Sequence, residues 1–205
     1  PADLTFGPDG NLYVADSSAN VFRFDGNTGA SMGIFASGHP GDSYRGLAWG
    51  PDGNLYVGTV ADHFDRFNGV TGVSMGILPA PQANSIHNVA FGPDGLLYGG
   101  DYFGSSVYAY NMVTGEFVKS FDGLGGANGL AFNSNGELLV SSYFGNEIMK
   151  FGNDSGTSGV VLTSGHPLNG PLDLVVLAVP EPSTYAMLLA GLGLLGFVTR
   201  RKKTT

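Results

Sequence analysis

Cysteine is absent from this chain of 205 residues. That removes disulfides, thiol nucleophiles and cysteine-bound zinc, and leaves the redox compartment open, because exported proteins need not use disulfides. Charge is scarce too, at 13% of residues beside 12% aromatics, whereas disordered chains are rich in charge and poor in apolar side chains. The nine Lys and Arg residues are unevenly placed: Arg200, Arg201, Lys202 and Lys203 hold four, so residues 1–179 carry five basic against sixteen acidic side chains. A body of that sign repels phosphate backbones, and no basic stripe with interleaved aromatics exists, which argues against nucleic acid as a partner. No helical period of 3.6 residues runs through the body, and its glycine density opposes helix. Several catalytic signatures are missing as well. There is no Gly-x-Ser-x-Gly elbow, no glycine-rich phosphate loop and no Asp-x-Asp-x-Asp calcium spacing. The chain opens at Pro1 with no basic-then-apolar leader, so an export signal is expected upstream of it.

What is abundant is glycine, with 34 residues placed at turns. Phe6-Gly-Pro-Asp-Gly-Asn-Leu-Tyr-Val14 returns in near-copy from Trp49, from Phe91 and, more loosely, from Phe132, at spacings of 43, 42 and 41 residues. Proline presets the first turn corner, aspartate bonds local backbone, and glycine supplies the positive φ that closes a hairpin. A second turn recurs after Asp25, Asn68, Asn111 and Gly152, each followed four positions later by Gly29, Gly72, Gly115 or Gly156. Two hairpins per unit give four strands. Units of about 40 residues with four strands each predict an all-β propeller, in which every blade buries both faces. Two-sided burial accounts for the continuously apolar Leu12-Tyr-Val-Ala15, Leu55-Tyr-Val57 and Leu138-Leu-Val140.

Gly46-Leu-Ala-Trp-Gly-Pro-Asp-Gly-Asn-Leu-Tyr-Val57 and Ala127-Asn-Gly-Leu-Ala-Phe132 resemble NHL-type propeller repeats and the related gluconolactonase (SMP-30) and streptogramin-lyase-like propellers. The resemblance spans residues 1–178, with units near 1–43, 44–86, 87–127 and 128–170. A partial fifth follows at 171–178, where Pro171-Leu-Asp-Leu-Val-Val176 matches Pro1-Ala-Asp-Leu-Thr-Phe6. Four four-stranded repeats plus one extra strand over 172–177 are therefore expected, as an open arc or a strained small ring.

The remaining residues, 179–205, read differently. A 14-residue apolar run at 185–198 is about 21 Å long as helix, shorter than the roughly 20 residues a membrane span prefers. A single short transmembrane helix over 184–198 is expected, with the flanking residues making up part of the difference and the basic end on the cytoplasmic side. Pro180, Glu181 and Pro182 stand directly before it. Together these parts resemble the PEP-CTERM sorting signal of Gram-negative bacteria. That resemblance implies exosortase as a partner, transient anchoring in the inner membrane and delivery to the cell surface or the extracellular matrix.

Corresponding positions at the start of each unit converge on one end of a propeller channel. Here they are Asp3, Arg45, His87 with Asn88, Asn128 and Asp173. Their Asp and Asn oxygens, assisted by His87, are suited to a divalent cation such as calcium or magnesium, and Asn128 resembles the metal-liganding Asn context of the gluconolactonase-like propellers. The competing reading is a polar channel lining with water and no cofactor. Among exposed aromatics, Tyr44, Tyr102, Phe103, Tyr143 and Phe144 either stack on a sugar face or pack between blades. His39 and His166 both sit in Ser-Gly-His-Pro and read as repeat inheritance, and His63 reads as a surface-loop residue. Asp9, Asp52 and Asp94 read as turn residues. With no catalytic constellation, the expectation is a non-catalytic exported module that binds exopolysaccharide or surface proteins; the alternative is a metal-dependent lactonase or lyase.

Overall fold

The computed structural model describes residues 1–152, 159–164 and 168–176. The chain divides into two compact units, Pro1–Val175 and Val176–Thr205. The second lies outside the described residues except for Val176, and so does the helix expected at 184–198. Among the described residues no helix is long and apolar enough to cross a membrane.

Among the described residues, sixteen strands form four antiparallel sheets in chain order. Blade 1 holds β1 (Asp3–Phe6), β2 (Leu12–Ala15), β3 (Asn20–Phe24) and β4 (Ser31–Ser37); blade 2 holds β5 (Tyr44–Trp49), β6 (Leu55–Thr59), β7 (His63–Phe67) and β8 (Ser74–Pro79). Blade 3 holds β9 (Ile86–Phe91), β10 (Leu97–Asp101), β11 (Ser106–Tyr110) and β12 (Phe117–Asp122); blade 4 holds β13 (Ala127–Phe132), β14 (Leu138–Ser142), β15 (Glu147–Phe151) and β16 (Val160–Ser164). The four repeat aromatics end the first strand of each blade and face the leucine that opens the second: Phe6 with Leu12, Trp49 with Leu55, Phe91 with Leu97 and Phe132 with Leu138. The repeat read from the sequence is thus a repeat of register.

Turn chemistry sets that register. The Gly10, Gly53, Gly95 and Gly136 backbones all have φ between 76° and 79°, which other residues adopt only with strain. In the same turn Asp9 accepts hydrogen bonds from the Asn11 amide (3.1 Å), the Asn11 side chain (2.7 Å) and the Tyr13 hydroxyl (3.0 Å). Asp52 repeats this with Asn54 and Tyr56. Asp94 accepts from the Leu96 amide, the Tyr98 hydroxyl and Lys119. The turn role expected of these aspartates is what the structure gives.

The core lies between blades. Tyr13, Val21, Ala36, Leu47, Leu55, Val57 and Phe67 fill the first interface. Tyr56, Phe64, Ile86, Val89, Leu97 and Tyr110 fill the second, and Tyr98, Val107, Phe121, Leu130, Leu138, Val140 and Phe151 the third. Each turn-anchored tyrosine meets the repeat aromatic of the following blade edge-on. Tyr13 lies 4.9 Å from Trp49, Tyr56 5.1 Å from Phe91 and Tyr98 4.9 Å from Phe132. Phe6 has no preceding tyrosine and is 60% exposed; Leu4 is also 60% exposed, while its counterparts Leu47, Val89 and Leu130 are 4–6% exposed. Among the described residues, therefore, no blade covers the outer face of blade 1.

Residues 171–176 are not paired as a strand, so the expected fifth first strand forms no ladder over its described part; Leu177 lies outside it. The segment nonetheless takes that strand's place. A Cβ on Gly129 of β13 would lie 2.7 Å from the Asp173 Cα, just as one on Gly46 of β5 would lie 2.7 Å from the Asn88 Cα of β9. A first strand bonds only to the second strand of its own blade, and no such partner stands among the described residues.

Candidate functional site

Three of the four first strands carry a bulge, and the bulges set the site. In β5, Tyr44 pairs with Thr59 and Leu47 with Val57, so Arg45 and Gly46 together oppose Gly58. In β9, Ile86 pairs with Asp101 and Asn88 with Gly100, leaving His87 unpaired. In β13, Ala127 pairs with Ser142 and Leu130 with Val140, so Asn128 and Gly129 oppose Ser141. A bulge inserts one residue, bends the strand and re-aims a side chain. All three bulges occur at one end of the strands, where their residues line a cavity of about 240 Å³ with Ala2, Asp3, Asn88, Leu172 and Asp173. Every mouth residue expected from the sequence is brought together there.

The amides that the bulges release find partners. The Leu47 amide donates to Asp3 Oδ2 of the preceding blade at 2.9 Å, and the Gly129 amide donates to the buried Ser141 Oγ at 2.7 Å. The Leu4 amide donates to Asp3 Oδ1 at 2.7 Å. Burial pushes the Asp3 pKa above the usual carboxylate range; the two amides oppose this and the charge of Asp173 adds to it. Asp3 and Asp173 thus set two carboxylates in one mouth.

Opposite them, burial and then the Arg45 guanidinium push the His87 pKa down to about 4 against the pull of Asp101, so the imidazole is neutral at physiological pH. Its ring is stacked on Tyr102, centroids 4.1 Å apart and planes 4° from parallel. Arg45 makes no ion pair among the described residues, and its buried Nε has no hydrogen-bond partner there. A buried donor without an acceptor is costly.

An aromatic shelf adjoins the mouth. Tyr102 lies 5.3 Å from both Tyr143 and Phe144 of blade 4 and 5.0 Å from Phe103. The rings pack between blades and still present a face, since Phe103 is 71% and Phe144 59% exposed. Asp101 fixes the first aromatic loop by accepting from the Gly104 and Asn84 amides, both at 3.1 Å. Tyr44, by contrast, is fully buried in the first blade interface. The exposure expected of Tyr44 is therefore corrected: the neighbouring blade covers it, which its own strand does not encode.

A larger cavity of about 320 Å³ opens at the opposite strand ends, beside Asp94, Tyr98, Lys119 and Phe132. Its charges are an ion pair of 2.9 Å between Lys119 of β12 and the turn residue Asp94. His63 is not a loop residue. It opens β7 with its side chain 13% exposed, and beside it stand His39, Asp42 and Asp65. No spacing in the sequence reveals that group, which comes from two separate segments. His166 lies outside the described residues.

Residues 178–202 match the PEP-CTERM protein-sorting motif. This motif marks an exported chain that is transiently anchored in the membrane, processed by exosortase and sorted to the cell surface. No curated protein matches the chain in sequence. Among solved structures, virginiamycin B lyase from Staphylococcus aureus is similar with a TM-score of 0.69 at 15% identity, over 83% of this chain and 57% of that one. A streptogramin B lyase gives 0.70 at 17%, over 84% and 57%. A protein of unknown function from Bacteroides caccae gives 0.61 at 15%, over 79% and 59%. At such identities the likeness is one of fold: the body is a β-propeller. The chain spans under three fifths of the length of these structures.

Proposed function

We propose that this chain is an exported, exosortase-sorted propeller that binds a saccharide chain end at its channel mouth, at the cell surface or in the extracellular matrix of a Gram-negative bacterium. The observation that carries the reading is the convergence, through three bulges, of Arg45, His87 and Asn128 with Asp3, Asn88 and Asp173 beside exposed rings. Carboxylates, amides and a guanidinium supply the mixed acceptors and donors that neighbouring hydroxyls require. Phe103 and Phe144 supply apolar ring faces for the sugar's C–H side. The cavity is small for a drug-sized pocket and suits one sugar ring. The resemblance to NHL-type repeats fits this reading, since such repeats are structural and leave function to the mouth.

The test is retention of the full chain on exopolysaccharide from an exosortase-bearing host. Binding that weakens at least tenfold in Arg45→Ala and in the double variant Phe103→Ala with Phe144→Ala supports it. Equal retention of both variants, or none of the unaltered chain, overturns it.

The alternative is a metal-dependent lactonase or lyase at the same mouth, favoured by the fold likeness to the streptogramin lyases. Calcium or magnesium would use the oxygens of Asp3, Asp173 and Asn128. Two features count against a fit: Arg45 places a cation in the mouth, and among the described residues no three of its His and Asp side chains share liganding reach. Turnover of a lactone or a cyclic depsipeptide that needs added magnesium and is lost in Asn128→Ala would favour this alternative.

A further inference from the structure

We propose that His39, Asp42, His63 and Asp65 form a tetrahedral site for a divalent transition-metal ion of the zinc class, which staples blade 1 to blade 2. This goes beyond the saccharide reading and does not depend on it. His39 and Asp42 come from the connection between β4 and β5, while His63 and Asp65 come from β7. Their four ligand atoms all lie within 4.8 Å of one another. Nitrogen and oxygen alternate around the group. His39 Nδ1 is 3.2 Å from Asp65 Oδ1 and 3.9 Å from Asp42 Oδ2. His63 Nε2 is 3.2 Å from Asp42 Oδ2 and 3.8 Å from Asp65 Oδ1. Zinc bonds of about 2.0–2.2 Å at tetrahedral angles set ligand atoms about 3.3–3.6 Å apart, so small side-chain adjustments admit the ion.

The strongest argument is where Asp65 stands. At its register position in the third strand, blade 1 places Phe22 opposite Val14, blade 3 Tyr108 opposite Gly99 and blade 4 Met149 opposite Val140; blade 2 alone places a carboxylate, Asp65 opposite Val57. The Asp65 side chain is 2% exposed and that of Asp42 13%. Buried charge is costly without a counter-charge, and among the described residues the ion pairs of both carboxylates are with these two imidazoles alone. Ligands bind a metal in their deprotonated forms, and in those forms this set carries the two negative charges that a divalent ion cancels.

Outer partners orient the ligands as metal sites require. The Tyr44 hydroxyl donates to Asp65 Oδ2 at 2.5 Å, leaving Oδ1 for the ion. Gly38 lets the backbone close over this pair, for a Cβ there would run into the Tyr44 hydroxyl and Asp65 Oδ2. Mixed imidazole and carboxylate donors at four positions suit zinc and its neighbours, while calcium and magnesium prefer six or more oxygens.

The test uses the untagged full chain, stripped with a chelator and titrated with cobalt(II). One equivalent should bind with the intense visible bands of tetrahedral cobalt, be displaced by zinc and resist excess calcium or magnesium, and zinc should raise the unfolding temperature. His39→Ala alters a half-exposed ring and leaves the fold intact by circular dichroism, yet should weaken uptake by more than about 100-fold, beyond the loss typical of an outer partner. Asp65→Asn should do the same. Absence of stoichiometric uptake, uptake unchanged in His39→Ala, or ready displacement by calcium each overturns the site and leaves two plain imidazole–carboxylate hydrogen bonds.

Discussion

The ring of Tyr98 packs against that of Phe132 at 4.9 Å and 72°, and its hydroxyl donates to Asp94 at 2.8 Å in the turn of its own blade. One side chain thus ties a blade's turn to the next blade's first strand, and Tyr13 and Tyr56 repeat the device. Blade 4 has Leu139 at this position and Asn135 in place of the aspartate; no repeat aromatic follows it among the described residues.

Two substitutions at Tyr98 separate the parts of this brace. Tyr98→Phe removes only the hydroxyl and should cost about 1 kcal/mol in urea unfolding. Tyr98→Ala also empties a buried aromatic site and should cost about 3–5 kcal/mol. Equal losses would show that the hydroxyl's bond to its own turn, and not the ring's packing on the next blade, carries the stability.

Ser141 supports the bulge that presents Asn128. In Ser141→Ala the buried Gly129 amide keeps no acceptor, at a cost of about 1–3 kcal/mol. Saccharide retention should fall as well, because the bulge loses its register. Unchanged unfolding would mean that the amide has another partner.

His87 gives a pH dependence of definite sign. Its folded pKa, about 4, lies below the ordinary 6.5, so as pH falls between these values the unfolded chain takes up a proton that the folded chain refuses. The stability contributed by the neutral ring is full above about pH 6.5 and is lost as pH drops towards the folded value. His87→Phe keeps a ring on Tyr102 but cannot protonate, so its unfolding midpoint should fall less between neutral and mildly acidic pH. Parallel slopes for both proteins would refute the neutral imidazole.

Asp3 works in the opposite direction. Its folded pKa is raised, so ionisation opposes folding as pH rises through the unfolded and then the folded value, and the penalty stands at neutral pH. Asp3→Asn retains an oxygen for the Leu47 amide and should be the more stable protein at neutral pH, with the advantage vanishing below the unfolded carboxylate pKa of about 3.9. It should also weaken saccharide retention, since a binding group is held there at the expense of stability.

Pro180, Glu181 and Pro182 belong to the sorting motif matched at 178–202. In a host with exosortase the full chain should lose its tail, and the triple alanine variant should stay in the membrane at full mass. Indistinguishable mass and fractionation for the two would reduce the segment to a plain anchor.

The sequence by itself determined the blades, because turn residues act locally. Gly-Pro-Asp-Gly sets the hairpin in three blades and Asn133-Ser-Asn-Gly136 in the fourth, and the return of this turn every 41 to 43 residues spaces the sheets. It also named the mouth residues, since corresponding positions in repeats must converge, and it carried the sorting motif as contiguous text. Tertiary structure alone decided three things. Bulges aim Arg45, His87 and Asn128, and a bulge depends on cross-strand register, which is a relation between strands. Tyr44 is buried and Leu4 exposed because burial follows from whether a neighbouring blade is present. His39, Asp42, His63 and Asp65 meet because the connection between blades folds back over β7, a contact that no period or spacing within the chain encodes.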